Sequence, residues 1–118
     1  MWRLLFGLGV FVVLGSCVSH HFRHLSRAEL HACVAKGGHA SRAPFGSPIC
    51  EVPFADADKA CTGKADCQGR CLKFEDGSDP RPQLGDRVTG ACEASDETFG
   101  CYGRVEGGIF VEDLGCEG

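Results

Sequence analysis

Nine cysteines in 118 residues divide into one and eight, and this division constrains the chain more than any other feature. Cys17 closes an apolar N-terminal run, while Cys33, Cys50, Cys61, Cys67, Cys71, Cys92, Cys101 and Cys116 are spread over the rest. An even set at such density reads as a fully paired disulfide framework, which persists in an oxidising compartment. No Cys-x-x-Cys occurs, so the usual low-pKa exchange motif is absent from the sequence.

The first residues suit export. Met1 to Arg3 is short and basic, Leu4 to Gly15 is apolar, and Leu14-Gly15-Ser16-Cys17 follows. The run is shorter than the roughly 20 apolar residues a membrane-spanning helix needs, and its order fits a cleaved signal. Leu three residues before Cys, with Gly and Ser between, resembles the bacterial lipobox, which implies cleavage before Cys17 and acylation of its thiol and amine. Cleavage near Ser19 by an ordinary signal peptidase is the competing reading, and a retained anchor is the third. Val18 follows the Cys where, by resemblance to enterobacterial lipoproteins, Asp favours inner-membrane retention. The expected location is therefore the cell envelope, lipid-anchored at the outer membrane, with a periplasmic or secreted protein as the alternative.

Three segments are expected: residues 1–16 as a lipoprotein signal peptide, 17–25 as the lipidated Cys with a His-rich tether, and 26–118 as a disulfide-stapled domain. The mature chain carries eleven cations against sixteen anions. Its first stretch is mildly basic through Arg23, Arg27, Lys36 and Arg42, whereas acidic side chains gather from Glu51 onward. No basic stripe of the kind that neutralises nucleic-acid phosphates is present, so nucleic acid is not an expected partner. About 100 residues make one domain with a modest core, and cross-links supply what such a core lacks. Closing a loop of about 15 residues contributes roughly 3 kcal/mol in the chain-entropy account, so the fold is expected to fail under reduction.

Ser26-Arg27-Ala28-Glu29 reads as a capping box, with Leu25 and Leu30 placed as a hydrophobic staple and Gly37 as the stop. The pattern predicts a helix over 27–36 with Leu30, Cys33 and Val34 on one face. Residues 38–46 read as a loop and 49–54 as a short strand, interrupted by Pro48 and Pro53 and therefore at an edge. Asp56 to Leu72 suits compact turns or one short helical turn, Glu75 to Asp86 is polar and rich in turn formers, and Arg87 to Glu93 reads as a strand. Two β-prone runs joined by Gly107-Gly108 predict a hairpin over 101–114. The fold class is thus small, disulfide-rich and mainly short β-strands and loops with one N-terminal α-helix. Cys33 is placed with Cys50, and Cys101 with Cys116, because the hairpin turn sets residue 101 opposite 114 and Cys116 one side-chain step along that face. The middle four cysteines admit three pairings.

Candidate reactive groups are few. Cys61-x5-Cys67-x3-Cys71 is the densest segment and reads as a knot of bridges to different partners. Free thiols at Cys67 and Cys71 would instead suit redox or copper chemistry. His20, His21, His24, His31 and His39 read as a solvated tether and its surroundings; His20 and His24 have the spacing at which imidazoles ligate zinc or copper on a helix. Asp56, Asp58 and Asp66 lack the remainder of a calcium loop and read as acidic turn residues. No serine stands in a nucleophile-elbow context, and neither a catalytic residue, a metal ligand nor a cofactor is assigned.

From Pro48 to Cys61 and on through Asp66-Cys67-Gln68-Gly69-Arg70-Cys71-Leu72, the chain resembles uncharacterised small cysteine-rich lipoproteins of Gram-negative bacteria. Cys33 with Gly37-Gly38, Val88 to Cys92 and Phe99 to Cys101 extend the likeness over most of residues 33–116. The resemblance implies localisation and disulfides and supplies no activity. The Cys61 to Cys71 piece is also similar to extracellular modules of colipase or dickkopf type. The expected role is a membrane-anchored extracytoplasmic binding or envelope-structural protein, not an enzyme, with the bilayer as partner through acylated Cys17 and an envelope or secreted protein as a second. A periplasmic copper- or zinc-binding protein is the alternative.

Overall fold

The computed structural model describes residues 23–77 and 80–118. Cys17, His20, His21 and the export segment lie outside the described residues. The described residues fold as one helix, seven short strands and a single 3-10 turn, with four disulfides, a small disulfide-rich and mainly β fold.

Helix α1 (Arg27–Ala35) begins at the capping box. The Glu29 amide donates to Ser26 Oγ at 3.1 Å and the Ser26 amide to Glu29 Oε2 at 2.7 Å, which satisfies two of the donors a helix start leaves open. At the other end Gly37 adopts φ +83°, and the amides of Gly37 and Gly38 return to the carbonyls of Val34 and Cys33. This Schellman closure needs the left-handed conformation that glycine adopts without a Cβ penalty. The expected apolar face is only partly used. Cys33 is buried, but Leu30 is 41% and Val34 61% exposed. The reason is the small partner, a two-stranded sheet of four-residue strands, β1 (His39–Arg42) and β2 (Pro48–Glu51). The Cys33–Cys50 bridge fastens the helix to it. Gly38 lies against that bridge: a Cβ there would stand 2.8 Å from Cys50 Sγ and 2.9 Å from Cys33 Sγ.

β1 falls where the sequence reads as a loop. His-Ala-Ser-Arg carries no apolar alternation, and the strand exists through antiparallel pairing with β2, from His39 opposite Glu51 to Arg42 opposite Pro48. The second sheet runs in the order β3-β5-β4-β6-β7, all antiparallel: β3 (Ala60–Cys61), β4 (Cys71–Phe74), β5 (Gly90–Cys92), β6 (Gly100–Glu106) and β7 (Ile109–Glu117). The two sheets are stitched by backbone bonds at Val52, Phe54, Ala94 and Asp96 and by a bridge between Pro53 and Ser95. The 3-10 turn (Lys64–Asp66) supplies the short helical turn expected after Asp56. The strand expected over 87–93 is shorter: only 90–92 join β5, while Arg87 makes an isolated bridge to Ile109 at the hairpin.

Gly107 and Gly108, at φ +58° and +72°, form the two-residue β6–β7 turn that only positive φ allows. The register differs from a plain hairpin. Two irregularities, at Cys101/Gly103 and Arg104/Val105, add a residue each to β7, so Cys101 faces Cys116 directly rather than residue 114. The buried centre is largely sulfur: Cys61, Cys71, Cys92 and Val105 cluster, with Cys67 and Val88 packed against them. Leu72, Tyr102 and Phe110 complete the buried apolar set.

Gly103 is the most crowded of the described glycines, because a methyl group there would overlap the Phe110 ring and crowd the Glu112 carbonyl. Gly103→Ala is expected to cost about 2–3 kcal/mol through overpacking and to lower the Tm by about 10 °C or more. Thermal unfolding under non-reducing conditions checks this; an unchanged Tm would contradict the packing.

Candidate functional site

The three-cysteine segment resolves differently from the expected knot. Cys61 pairs with Cys71 inside the segment, and only Cys67 leaves it, for Cys92. Cys61–Cys71 ties β3 to β4, the two neighbours of β5, and so closes across Gly90 of the strand between them. A Cβ on Gly90 would lie 2.6 Å from Cys71 Sγ and 3.2 Å from Cys61 Sγ. Cys33–Cys50 and Cys101–Cys116 are paired as the sequence places them. Groups of three ligand-type atoms occur at Cys61, Cys67 and Cys71, at Asp56, Cys67 and Cys92, and at Glu75, Cys101 and Cys116. Every sulfur among them is a disulfide sulfur, whereas metal ligation calls for a thiolate. Asp66 accepts from the amide and hydroxyl of Thr62, and Asp56 Oδ2 from the Gln68 amide, while Asp56 Oδ1 is buried with no hydrogen-bond partner among the described residues.

A polar centre that sequence reasoning missed lies beside the sulfur core. Cys71 and Cys92 face each other in the β4–β5 register, so Arg70 and Glu93, one residue outward on each strand, also meet. Glu93 is buried, at 6% exposure. Its Oε1 accepts from the Arg70 amide at 2.8 Å, and its Oε2 accepts from Arg70 Nε at 3.1 Å and Thr98 Oγ1 at 2.9 Å. The Arg70 guanidinium also stands 5.4 Å from the centroid of Tyr102, within cation–π range. The Tyr102 hydroxyl donates to Glu117 Oε2 at 2.9 Å. Burial opposes the charge on Glu93, but the hydrogen bonds from Arg70 and Thr98 and the nearby cation outweigh it, holding the carboxyl below its ordinary range. Gly69 makes room for the arrangement, since a Cβ there would stand 2.5 Å from Glu93 Cγ. A carboxylate whose lone pairs are so fully engaged is a clamp on the open end of β4 and β5, not a proton-transfer group. The sequence signal for it, an Arg before one cysteine and a Glu after another, acquires meaning only once those cysteines are known to face each other.

One open recess lies on the N-terminal unit, and another of about 280 Å³, lined by Arg87, Val88, Thr89 and Gly108, lies at the hairpin turn. His24, Leu25, Leu30, Ala40, Ser41, Arg42 and Pro48 line an open groove of about 290 Å³ between α1 and β1. Arg42 helps shape it, donating to the Gly46 carbonyl at 2.7 Å and reaching His24 Nδ1 at 3.2 Å. His31 and His39 are exposed elsewhere on the unit, and His39 stands 3.6 Å from Glu51 across the β1–β2 pair. Phe45, at the turn between β1 and β2, is 86% exposed. By contrast, the cavity beside Tyr102 and Arg81 has only about 20 Å³, room for one water. Among the described residues no helix is long and apolar enough to cross a membrane. No protein family, curated protein or solved structure matches the chain.

Because its carboxyl is held below the unfolded value near 4.5, Glu93 stabilises the fold above that pH, and this contribution is lost as pH falls through the lower folded value. Glu93→Gln is expected to cost about 1–3 kcal/mol at pH 7 and to flatten the loss of stability below about pH 4.5. Glu29 and Asp66, also lowered, titrate in both proteins, so the difference between urea-unfolding profiles isolates Glu93. Parallel profiles would show that the clamp contributes nothing.

Proposed function

We propose that this protein is a membrane-anchored, extracytoplasmic binding or envelope-structural protein without a catalytic role. Cys17 carries the lipid, and the disulfide-stapled domain is displayed from the bilayer for an envelope or secreted protein partner, with the outer membrane as the favoured site. The observation that carries this reading is the pairing of all eight cysteines after residue 30. Such a scaffold forms in an oxidising space and fixes short, loop-rich surfaces without a large apolar core. The export-type sequence ending at Leu14-Gly15-Ser16-Cys17 supplies the route. The open groove of the N-terminal unit suits contact with a surface better than enclosure of a small substrate, since ligand pockets bury most of the molecule they hold.

A copper or zinc carrier built on thiolates would require unpaired cysteines, so one sample separates the two readings. Protein isolated from the envelope, denatured without reductant, is expected to show no reactive thiol, the Cys17 sulfur being blocked by its lipid, to carry acyl label and to partition into detergent. Cys17→Ser is expected to block processing and abolish the label. Equal labelling of the variant would overturn the lipid anchor, and two free thiols at Cys67 and Cys71 would favour the metal carrier.

A further inference from the structure

We propose that the N-terminal unit, residues 23–51, docks on an anionic phospholipid surface, so that the domain lies against the bilayer in one orientation. The inference rests on the lipid-anchor reading and adds a second contact that acylation does not supply. Charge divides the chain at one point. Residues 23–51 hold four cations against two anions, Glu29 and Glu51, whereas residues 52–118 hold seven cations against fourteen anions. Beside an anionic surface the first part is attracted and the second repelled, which sets an orientation rather than mere adhesion. Arg23, Arg27 and Lys36 are all exposed, and neither Arg27 nor Lys36 forms an ion pair among the described residues.

Apolar exposure is concentrated in the same unit. Leu30, Val34 and Phe45 are 41%, 61% and 86% exposed, in a fold whose helix buries only Cys33. Cationic side chains around exposed apolar ones form the surface that inserts at a headgroup boundary. The tether brings it there. Five residues, 18–22, separate Cys17 from Arg23, so Arg23, where the unit begins, stays within about 20 Å of the acylated position even with the chain fully extended. The four-residue β1–β2 sheet leaves the helix face uncovered because the bilayer covers it.

Hydroxyl-radical footprinting of the mature, acylated, oxidised protein in vesicles tests this, read at Leu30, Val34 and Phe45. Leu84 and Val111, 66% and 41% exposed on the acidic part, serve as internal controls. On vesicles with about 30 mol % phosphatidylglycerol, oxidation of the three is expected to fall roughly tenfold relative to pure phosphatidylcholine, with the controls unchanged. The protection is expected to vanish in about 0.5 M salt and in the Arg27→Glu, Lys36→Glu double variant. Equal oxidation on both vesicles, with the protein still co-floating, would overturn docking while leaving the anchor intact. Failure to co-float would overturn the anchor reading itself. Protection of Leu84 and Val111 to the same degree would overturn the orientation. Should the double variant oxidise incorrectly, the salt dependence of the native protein decides the matter.

Discussion

The fold depends on two disulfides at the middle of one small sheet, one crossing it and one fastening the 3-10 turn to it. Cys61–Cys71 and Cys67–Cys92 bring β3, β4, β5 and the 3-10 turn onto a shared centre where sulfur replaces the branched aliphatic side chains of a larger domain. The strands involved have two, four and three residues, too short to be held by ladder hydrogen bonds alone. Glycine is a structural partner in this economy of size. Gly90 lets one bridge pass over β5, as Gly38 lets Cys33–Cys50 close against the backbone after α1. The Arg70–Glu93 clamp depends on the same centre, because the facing of Cys71 and Cys92 brings those two side chains together.

What could be read from the sequence follows the range of each interaction. The capping box, the glycine stop and the Gly107-Gly108 turn are local, so their residue types specify them directly. The first and last disulfides were legible because each closes a neighbouring pair of elements. The middle pairings were not, since they depend on strand order β3-β5-β4, which no local pattern encodes. β1 was missed because His39–Arg42 is extended only by virtue of β2. The hairpin register was missed by two residues because of bulges at Val111 and at Leu114-Gly115, the latter with Gly115 at φ +72°, and no residue type at these positions marks a bulge in the sequence. Glu93 was invisible as a site for the same reason as the middle bridges: its partner lies 23 residues away.

The two ends of the molecule differ in how they are made. The five-stranded sheet carries the sulfur core and most of the acidic surface, with edges bonded to turns and loops such as 85–88 along the start of β7. The helix and its two-stranded partner hold a single bridge, one buried residue and an exposed apolar, cationic face. In the proposed arrangement the first part supplies stability and presents a surface outward, while the second faces the membrane near Cys17. The division of charge and the division of packing then have one cause, a small domain held close to a lipid surface.

Peptide mapping of denatured, unreduced protein decides whether Cys61–Cys71 closes over β5 and Cys67–Cys92 fastens to it. Trypsin separates all four cysteines, because Lys64, Arg70, Lys73 and Arg87 fall between or beside them. The account predicts peptide 60–64 joined only to 71–73, and peptide 65–70 joined to 88–104, which is itself linked to 105–118 through Cys101 and Cys116. Peptide 60–64 joined to 88–104, or 65–70 joined to 71–73, would contradict it.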